Sequence, residues 1–300
     1  MKIRSVNRLL LLQLIVDLLV GSLNSVLPGL PRVFNELAPK LLILAILLWM
    51  ARRDGAPVLE VLPFRRTPWQ VLLLTLLFYL VSWPLTTLAN GLTLLFVSHL
   101  KTAVSSALET QSFLKSVLYT ALIPAFYEEC LIRGAVLQTY RKTGRVRAAV
   151  LMSAIIFGFF HANIAQLFYT AVMGLCLALI VEASGSLWTG ILFHFVNNTV
   201  SILPMVFASD GSGDGGGGTL SEYVSTHIPF VLGFIALTVI GVLCFRPVLR
   251  AVRRYSGRED VFNSEPAEKI SFRTPELVAF FALSIALIAA TLPLFLGVSF

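Results

Sequence analysis

Residues 69–90 read WQVLLLTLLFYLVSWPLTTLAN and contain no charged side chain. A helix of about 20 apolar residues crosses a hydrocarbon core of roughly 30 Å. A lone strand in lipid would leave its backbone N–H and C=O groups without hydrogen-bond partners, so a span of this kind has to be helical. The run therefore predicts a transmembrane helix, with the bilayer as its solvent.

Apolar runs of similar length recur along the whole chain. We predict nine spans, at residues 8–27, 34–51, 69–90, 112–138, 146–162, 164–183, 186–207, 228–246 and 275–297. Of the 300 residues, 57% are apolar and only 13% are charged, and the mean hydropathy is +0.84. Soluble domains carry about 25% charged residues, so this composition excludes an ordinary soluble domain. We expect an all-α, polytopic membrane protein with about nine transmembrane helices.

Most of the basic residues fall in loops that lie on the same side of the membrane when the nine spans are threaded in order. With the N-terminus in the cytoplasm, four basic groups lie on that side: Lys2, Arg4 and Arg8; Arg52, Arg53, Arg65 and Arg66; Arg141, Lys142, Arg145 and Arg147; and Arg246, Arg250, Arg253, Arg254, Arg258, Lys269 and Arg273. Such an excess favours an N-in, C-out topology. It also explains the net charge of +7, so we expect a multi-pass protein of the cell membrane with lipid, and no nucleic acid, as partner.

The predicted spans divide the chain into four regions. Residues 1–111 hold three N-terminal transmembrane helices, and residues 112–207 hold a closely spaced four-helix region. Residues 208–227 form a glycine-rich extracytoplasmic loop containing the run DGSGDGGGG, and residues 228–300 hold two C-terminal helices joined by a basic cytoplasmic loop. No internal repeat is visible.

Ionisable and amide side chains gather in three of the spans. They are Glu128, Glu129 and Arg133 in the fourth span, His161 at the end of the fifth, and His194 and Asn198 in the seventh. A charged side chain at the centre of a bilayer costs about 2.5–3.5 kcal/mol on insertion scales, so each one needs a partner or a task. Elsewhere, the intramembrane charges are Asp17 in the first span and Lys40 near the start of the second.

The two adjacent glutamates are expected to differ in environment. Glu129 and Arg133 are four residues apart on a helix, with the acid N-terminal, which favours an ion pair. Glu128 is rotated by about 100° from Glu129 around the helix, so its carboxylate can point elsewhere. Without a cation of its own, Glu128 is the better candidate for a general base.

The polar residues of the fifth and seventh spans supply complementary groups. His194 and Asn198 share one helical face and can both hydrogen-bond one oxygen atom. His161 adds an imidazole, which can donate or accept a hydrogen bond. A base, an imidazole that holds water and two oxyanion donors are the parts of a hydrolase. Polar side chains in lipid also cross-link helices, so the residues alone leave a purely structural interpretation open.

The motifs that these residues form resemble those of a known family. E-E-x-x-x-R stands at Glu128 to Arg133, F-x-x-x-H at Phe157 to His161, and H-x-x-x-N at His194 to Asn198. In this order, on separate spans, they resemble the CAAX prenyl endopeptidases and bacteriocin-processing proteins, also called the abortive-infection family of membrane proteases. The resemblance covers roughly residues 112–205.

The resemblance implies a mechanism and a division of roles. Glu128 would deprotonate a water held by His161, His194 and Asn198 would stabilise the oxyanion, and Glu129 and Arg133 would shape the site. Members are often called metal-dependent, so a divalent metal such as zinc is a candidate cofactor, with Glu128, His161 and His194 as candidate ligands. Two histidines, a glutamate and an asparagine are nevertheless a poor zinc set beside the usual three strong ligands.

The function expected from the resemblance is an intramembrane endopeptidase. Its substrates would be membrane-associated, prenylated CAAX-like proteins or leader and bacteriocin-type peptides. Two alternatives remain: a non-catalytic scaffold or immunity protein of the same family, and a proton-coupled transporter that uses Glu128 and His161 as a relay. We also expect the site to open toward the cytoplasm, since His194 lies roughly 10 Å along its helix from the predicted cytoplasmic end.

Overall fold

The described part of the chain is helical throughout. The computed structural model describes residues 1–27, 29–31, 33–96, 112–207, 228–258 and 271–296, and no strand occurs among them. The all-α class predicted from the sequence is therefore confirmed. The predicted glycine-rich loop at 208–227 and most of the basic loop after Arg258 lie outside the described residues.

Ten helices, α1 to α10, follow one another in the described residues. Their bounds are α1 Ile3–Val26, α2 Val33–Arg53, α3 Val58–Val61, α4 Trp69–Phe96, α5 113–141, α6 Val146–Phe160, α7 Ile164–Ser184, α8 Leu187–Phe207, α9 Ile228–Tyr255 and α10 Pro275–Leu296. Each predicted span overlaps one of the nine longer helices.

Six of these helices, α1, α2, α4, α7, α9 and α10, are long and apolar enough to cross a membrane. Helices α6 and α8 are apolar but contribute shorter stretches, Val146–Phe160 and Leu187–Leu203. Helix α5 alternates α-helical turns with π-helical segments at Val117–Leu122 and Cys130–Val136. The count of nine spans and the orientation therefore stay predictions.

Helix α7 lies at the centre of the bundle and packs against α4, α6, α8 and α9. Its approach to α6 is close because Gly174 has no side chain. A Cβ atom at Gly174 would lie 3.1 Å from Phe157 Cδ1 and 3.2 Å from Ala154 Cα. Helix α5 supplies a second buried element, since every residue from Cys130 to Tyr140 is buried. The polar residues of the site are thus held on tightly packed helices.

The basic groups lie together at one end of the bundle. Arg141 and Arg258 both approach the buried carboxylate of Glu182, with Nη2 to Oε1 distances of 3.1 and 3.7 Å. Lys142 Nζ lies 2.8 Å from Glu60 Oε2. We call this end, marked by Glu60, Arg141, Lys142, Glu182 and Arg258, the basic face.

Candidate active site

Glu129 and Arg133 form the buried base of the site. Both side chains are fully shielded from solvent, and Arg133 Nη1 donates to Glu129 Oε1 at 2.7 Å. Arg133 Nη2 donates to the Gly174 carbonyl of α7 at 3.1 Å, and its guanidinium carbon lies 4.2 Å from the centre of the Phe157 ring. The predicted ion pair is present, and it is tied to α6 and α7.

Glu128 points in a different direction, into a cavity. Its side chain is 14% exposed, and its Oε2 atom lies 3.9 Å from His161 Nε2 and 3.8 Å from His194 Nε2. These separations exceed a direct hydrogen bond, so a small polar molecule is needed to connect the three groups. The carboxylates of Glu128 and Glu129 therefore point in different directions, as their rotation around the helix predicts.

The orientation of each imidazole is set by its other nitrogen. His161 Nδ1 donates to the Phe157 carbonyl at 3.0 Å, and His194 Nδ1 donates to Glu129 Oε1 at 3.0 Å. Since a carbonyl and a carboxylate only accept, both Nδ1 atoms carry protons. Both Nε2 atoms are consequently turned toward Glu128. Such fixing by neighbouring groups is common where histidine does chemistry.

The contacts of Phe157 give a reason for the phenylalanine in the F-x-x-x-H motif. Its ring meets the His161 ring edge-on with centroids 5.0 Å apart, and it meets the His194 ring in the same way at 5.7 Å. One face of Phe157 also covers the Arg133 guanidinium. A single buried ring thus packs against both imidazoles and the cation beneath them.

Asn198 lies on the cavity wall one helical turn beyond His194. Its Nδ2 donates to the Thr120 carbonyl at 3.4 Å, and its Oδ1 accepts from Asn197 Nδ2 at 3.3 Å. Asn197 Nδ2 also donates to the Tyr169 hydroxyl at 2.6 Å. Glu128, His161, His194 and Asn198 thus line one cavity, as the sequence predicts, while Glu129 and Arg133 lie behind its wall.

The cavity has a volume of about 630 Å³ and extends away from the basic face. Its lining includes Asn90, Thr120 and Ile202, which lie toward the ends of α4, α5 and α8 remote from the basic face. The expected cytoplasmic opening stays a prediction, because the side of the membrane on which the basic face lies is itself a prediction. With the basic face in the cytoplasm, as the charge bias favours, this cavity faces the opposite side. The position of His194 along its helix does not reveal this direction, because the direction depends on which residues of α4, α5 and α8 line the cavity.

Several cavity residues were not identified from the sequence. Tyr169 and Gln166 come from α7, and Trp83 and Asn90 come from α4, outside the motif region. A polar-tipped tyrosine inside an apolar span is a signal that could have identified Tyr169. Trp83 and Asn90 carry no comparable signal, because their place in the cavity depends on how α4 packs.

The candidate metal ligands from the sequence are Glu128, His161 and His194. Among the described residues, no three His, Cys, Asp or Glu side chains form a group that could hold a metal ion. Glu128 and the two histidines are donors of suitable type, but Glu129, the next candidate, is held by Arg133 and His194. No step of the chemistry below is therefore assigned to a metal.

Comparison with known proteins supports the resemblance. Residues 110–200 match the family described as Rce1-like, type II CAAX prenyl endopeptidase. The matched segment contains every predicted site residue from Glu128 to Asn198. No curated protein and no solved structure matches the chain.

Proposed function

Starting from an Rce1-like domain at residues 110–200 of an integral membrane protein, we propose that this chain is an intramembrane endopeptidase in which Glu128 activates the attacking water. The observation that carries the proposal is the convergence of His161 Nε2 and His194 Nε2 on Glu128 Oε2, at 3.9 and 3.8 Å. The catalytic region is residues 112–207, with α4 completing the cavity wall.

The attacking water binds between Glu128 and His161. One water proton points to Glu128 Oε2 and the other to the unprotonated His161 Nε2, so an oxygen lone pair faces the substrate carbonyl carbon. As the C–O bond forms, the first proton passes to Glu128. Glu128 then delivers this proton to the leaving nitrogen as the C–N bond breaks. The products are a carboxylic acid and an amine, and the carboxylate is regenerated.

His194 and Asn198 stabilise the negative oxygen of the tetrahedral intermediate. His194 can donate from Nε2 only as an imidazolium, because its Nδ1 proton is held by Glu129. With His194 protonated, the charges of Glu128, Glu129, Arg133 and His194 sum to zero, which suits a buried cluster. Asn198 Nδ2 supplies a second donor, since its 3.4 Å bond to Thr120 is long and easily replaced.

The position of the cavity bears on the substrate. A cavity directed away from the basic face suits a peptide bond lying in that half of the membrane, as in leader or bacteriocin-type substrates. A prenylated CAAX-like protein is the alternative substrate. The two substrate classes would reach the site from different sides of the membrane.

Reconstitution in vesicles separates the enzyme from the other candidate functions. We expect the wild-type protein to cut peptides from a panel of prenylated and leader-type sequences, and Glu128→Gln to cut none. A different result would support a transporter: the wild type cuts no peptide but carries protons across the vesicle membrane, and Glu128→Gln abolishes this proton flux. Intact peptides and no flux would support a scaffold or immunity protein.

Metal removal provides an independent check. Because Glu128, His161 and His194 carry the chemistry without a metal, we expect 1,10-phenanthroline and EDTA to leave kcat unchanged. The measurement is peptide cleavage before and after dialysis against each chelator. Loss of cleavage that zinc restores would contradict this mechanism.

A further inference from the structure

His161 also borders a second cavity, which Glu128 does not line. This cavity has a volume of about 440 Å³ and lies between α1, α10 and the turn that joins α6 to α7. Its lining includes Asp17, Ser22 and Ser25 of α1, His161 and Ala162 of the turn, and Thr291 of α10. We call it the α1–α10 cleft. Because His161 also lines the catalytic cavity, the two spaces meet at a catalytic side chain.

Asp17 gives the cleft its charge. It is an exposed residue in the second half of α1, a candidate membrane span. Gln13 Nε2 donates to Asp17 Oδ2 at 2.7 Å, and Lys40 of α2 is near enough for its charge to act on the carboxylate, although the two side chains form no direct ion pair. An aspartate at this depth carries a free-energy cost, so it indicates a functional role.

Asp17 is also connected to the catalytic helix. Gln13 accepts a hydrogen bond from the Tyr127 hydroxyl through Oε1 while it donates to Asp17 through Nε2. Tyr127 is buried and directly precedes Glu128. The carboxylate of Asp17 is therefore held in a fixed relation to α5, although α1 lies outside the matched domain.

The turn beside His161 has an unusual backbone. Ala162 has a φ of 45°, in the left-handed region that residues with a side chain rarely adopt. This conformation places His161 and Ala162 at the corner between the two cavities. Strained residues of this kind cluster at functional sites.

We propose that the α1–α10 cleft is a subsite for the substrate residue next to the cleaved bond, and that Asp17 selects a lysine or arginine side chain there. The inference rests on the proposed function, and it takes a peptide cut at Glu128 to continue past His161, the side chain that lines both cavities. Opposite charges attract more strongly near a protein surface than in bulk water, so a carboxylate that lines a cleft favours a cationic side chain there.

The test uses the full-length protein in nanodiscs. The probes are internally quenched peptides that the wild type cuts, with lysine, glutamine or glutamate placed in turn at each of the residues flanking the cleaved bond. We expect lysine to be preferred over glutamine at one of these positions by at least about fivefold in kcat/KM. Asp17→Asn should remove this preference, Asp17→Glu should keep it, and Asp17→Lys should favour glutamate.

A matched control and a binding measurement keep the result interpretable. Glu60→Gln removes a carboxylate at the basic face, far from the cleft, and should keep the lysine preference. Binding of the same peptides to Glu128→Gln protein, with and without Asp17→Asn, reports the subsite without cleavage. Suppose that the wild type cuts none of the peptides, but that lysine-containing peptides bind selectively and Asp17→Asn removes this selectivity. That result would refute the protease function and support the subsite. Equal preference in wild type and Asp17→Asn, or no preference in either assay, would overturn the subsite.

Discussion

Glu128 and Glu129 are adjacent in sequence, yet their surroundings differ. Glu129 accepts from Arg133 and from His194, so its carboxylate is committed to positioning. Glu128 faces both imidazoles across gaps of 3.8 and 3.9 Å, and in the proposed mechanism it binds the attacking water. The difference comes from helix geometry, because successive side chains are rotated by about 100°. It could be predicted from the sequence because the spacing of Glu129 and Arg133 is local.

A substitution of Arg133 tests whether Glu129 has a structural role that Glu128 lacks. Arg133→Met leaves Glu129 buried without its guanidinium partner, and breaking a buried pair in this way costs about 3–5 kcal/mol. We expect a clear loss of stability in unfolding experiments in detergent micelles. Lys142→Met breaks the exposed pair with Glu60 and should change stability little. Equal stability of the two variants would contradict a structural role for the Glu129–Arg133 pair.

At the scale of elements, α5, α6 and α8 each bring one motif to the site. Helix α5 presents its two glutamates beside π-helical turns, a feature that often marks functional sites. These turns depend on tertiary packing, so the regular apolar pattern of residues 112–138 predicts the helix but not its π segments. Helix α8 approaches α5 closely at Gly190, where a Cβ atom would lie 2.6 Å from Glu129 Oε2 and 2.7 Å from Val181 Cγ2.

Gly190 therefore offers a test of the packing between α8 and α5. Gly190→Ala should displace the Glu129 carboxylate from His194 and lower kcat, and overpacking of this kind costs about 1–3 kcal/mol of stability. Gly233→Ala is the matched control, because a Cβ atom there meets nothing within 4 Å. Peptide cleavage and thermal unfolding are measured for both. Wild-type kcat in Gly190→Ala would show that the close contact is unimportant for the chemistry.

For the whole molecule, the structure adds the position of the catalytic cavity relative to the basic face, which the sequence alone does not provide. The three motifs predict which residues meet, since each lies on one helix face. The direction of the cavity and the contribution of α1 through Gln13 and Asp17 depend on how distant helices pack. No local pattern contains that information.

Accessibility labelling tests the side on which the cavity lies. In a background without Cys130, Cys176 and Cys244, single cysteines replace Ser201 in the cavity and Lys142 at the basic face. We expect a membrane-impermeant maleimide to label the two positions from opposite sides, with Lys142→Cys reacting from the cytoplasm. Labelling of both positions from the same side would contradict the cavity direction.

The most direct measurement of the central claim is kcat for Glu128→Gln beside Glu60→Gln. Both changes replace one carboxylate by an amide of the same shape, but only Glu128 lines the catalytic cavity. Losing a general base typically lowers the rate by about 10²–10⁴-fold. We predict a fall of this size for Glu128→Gln and wild-type turnover for Glu60→Gln. Substantial cleavage by folded Glu128→Gln protein would contradict the account.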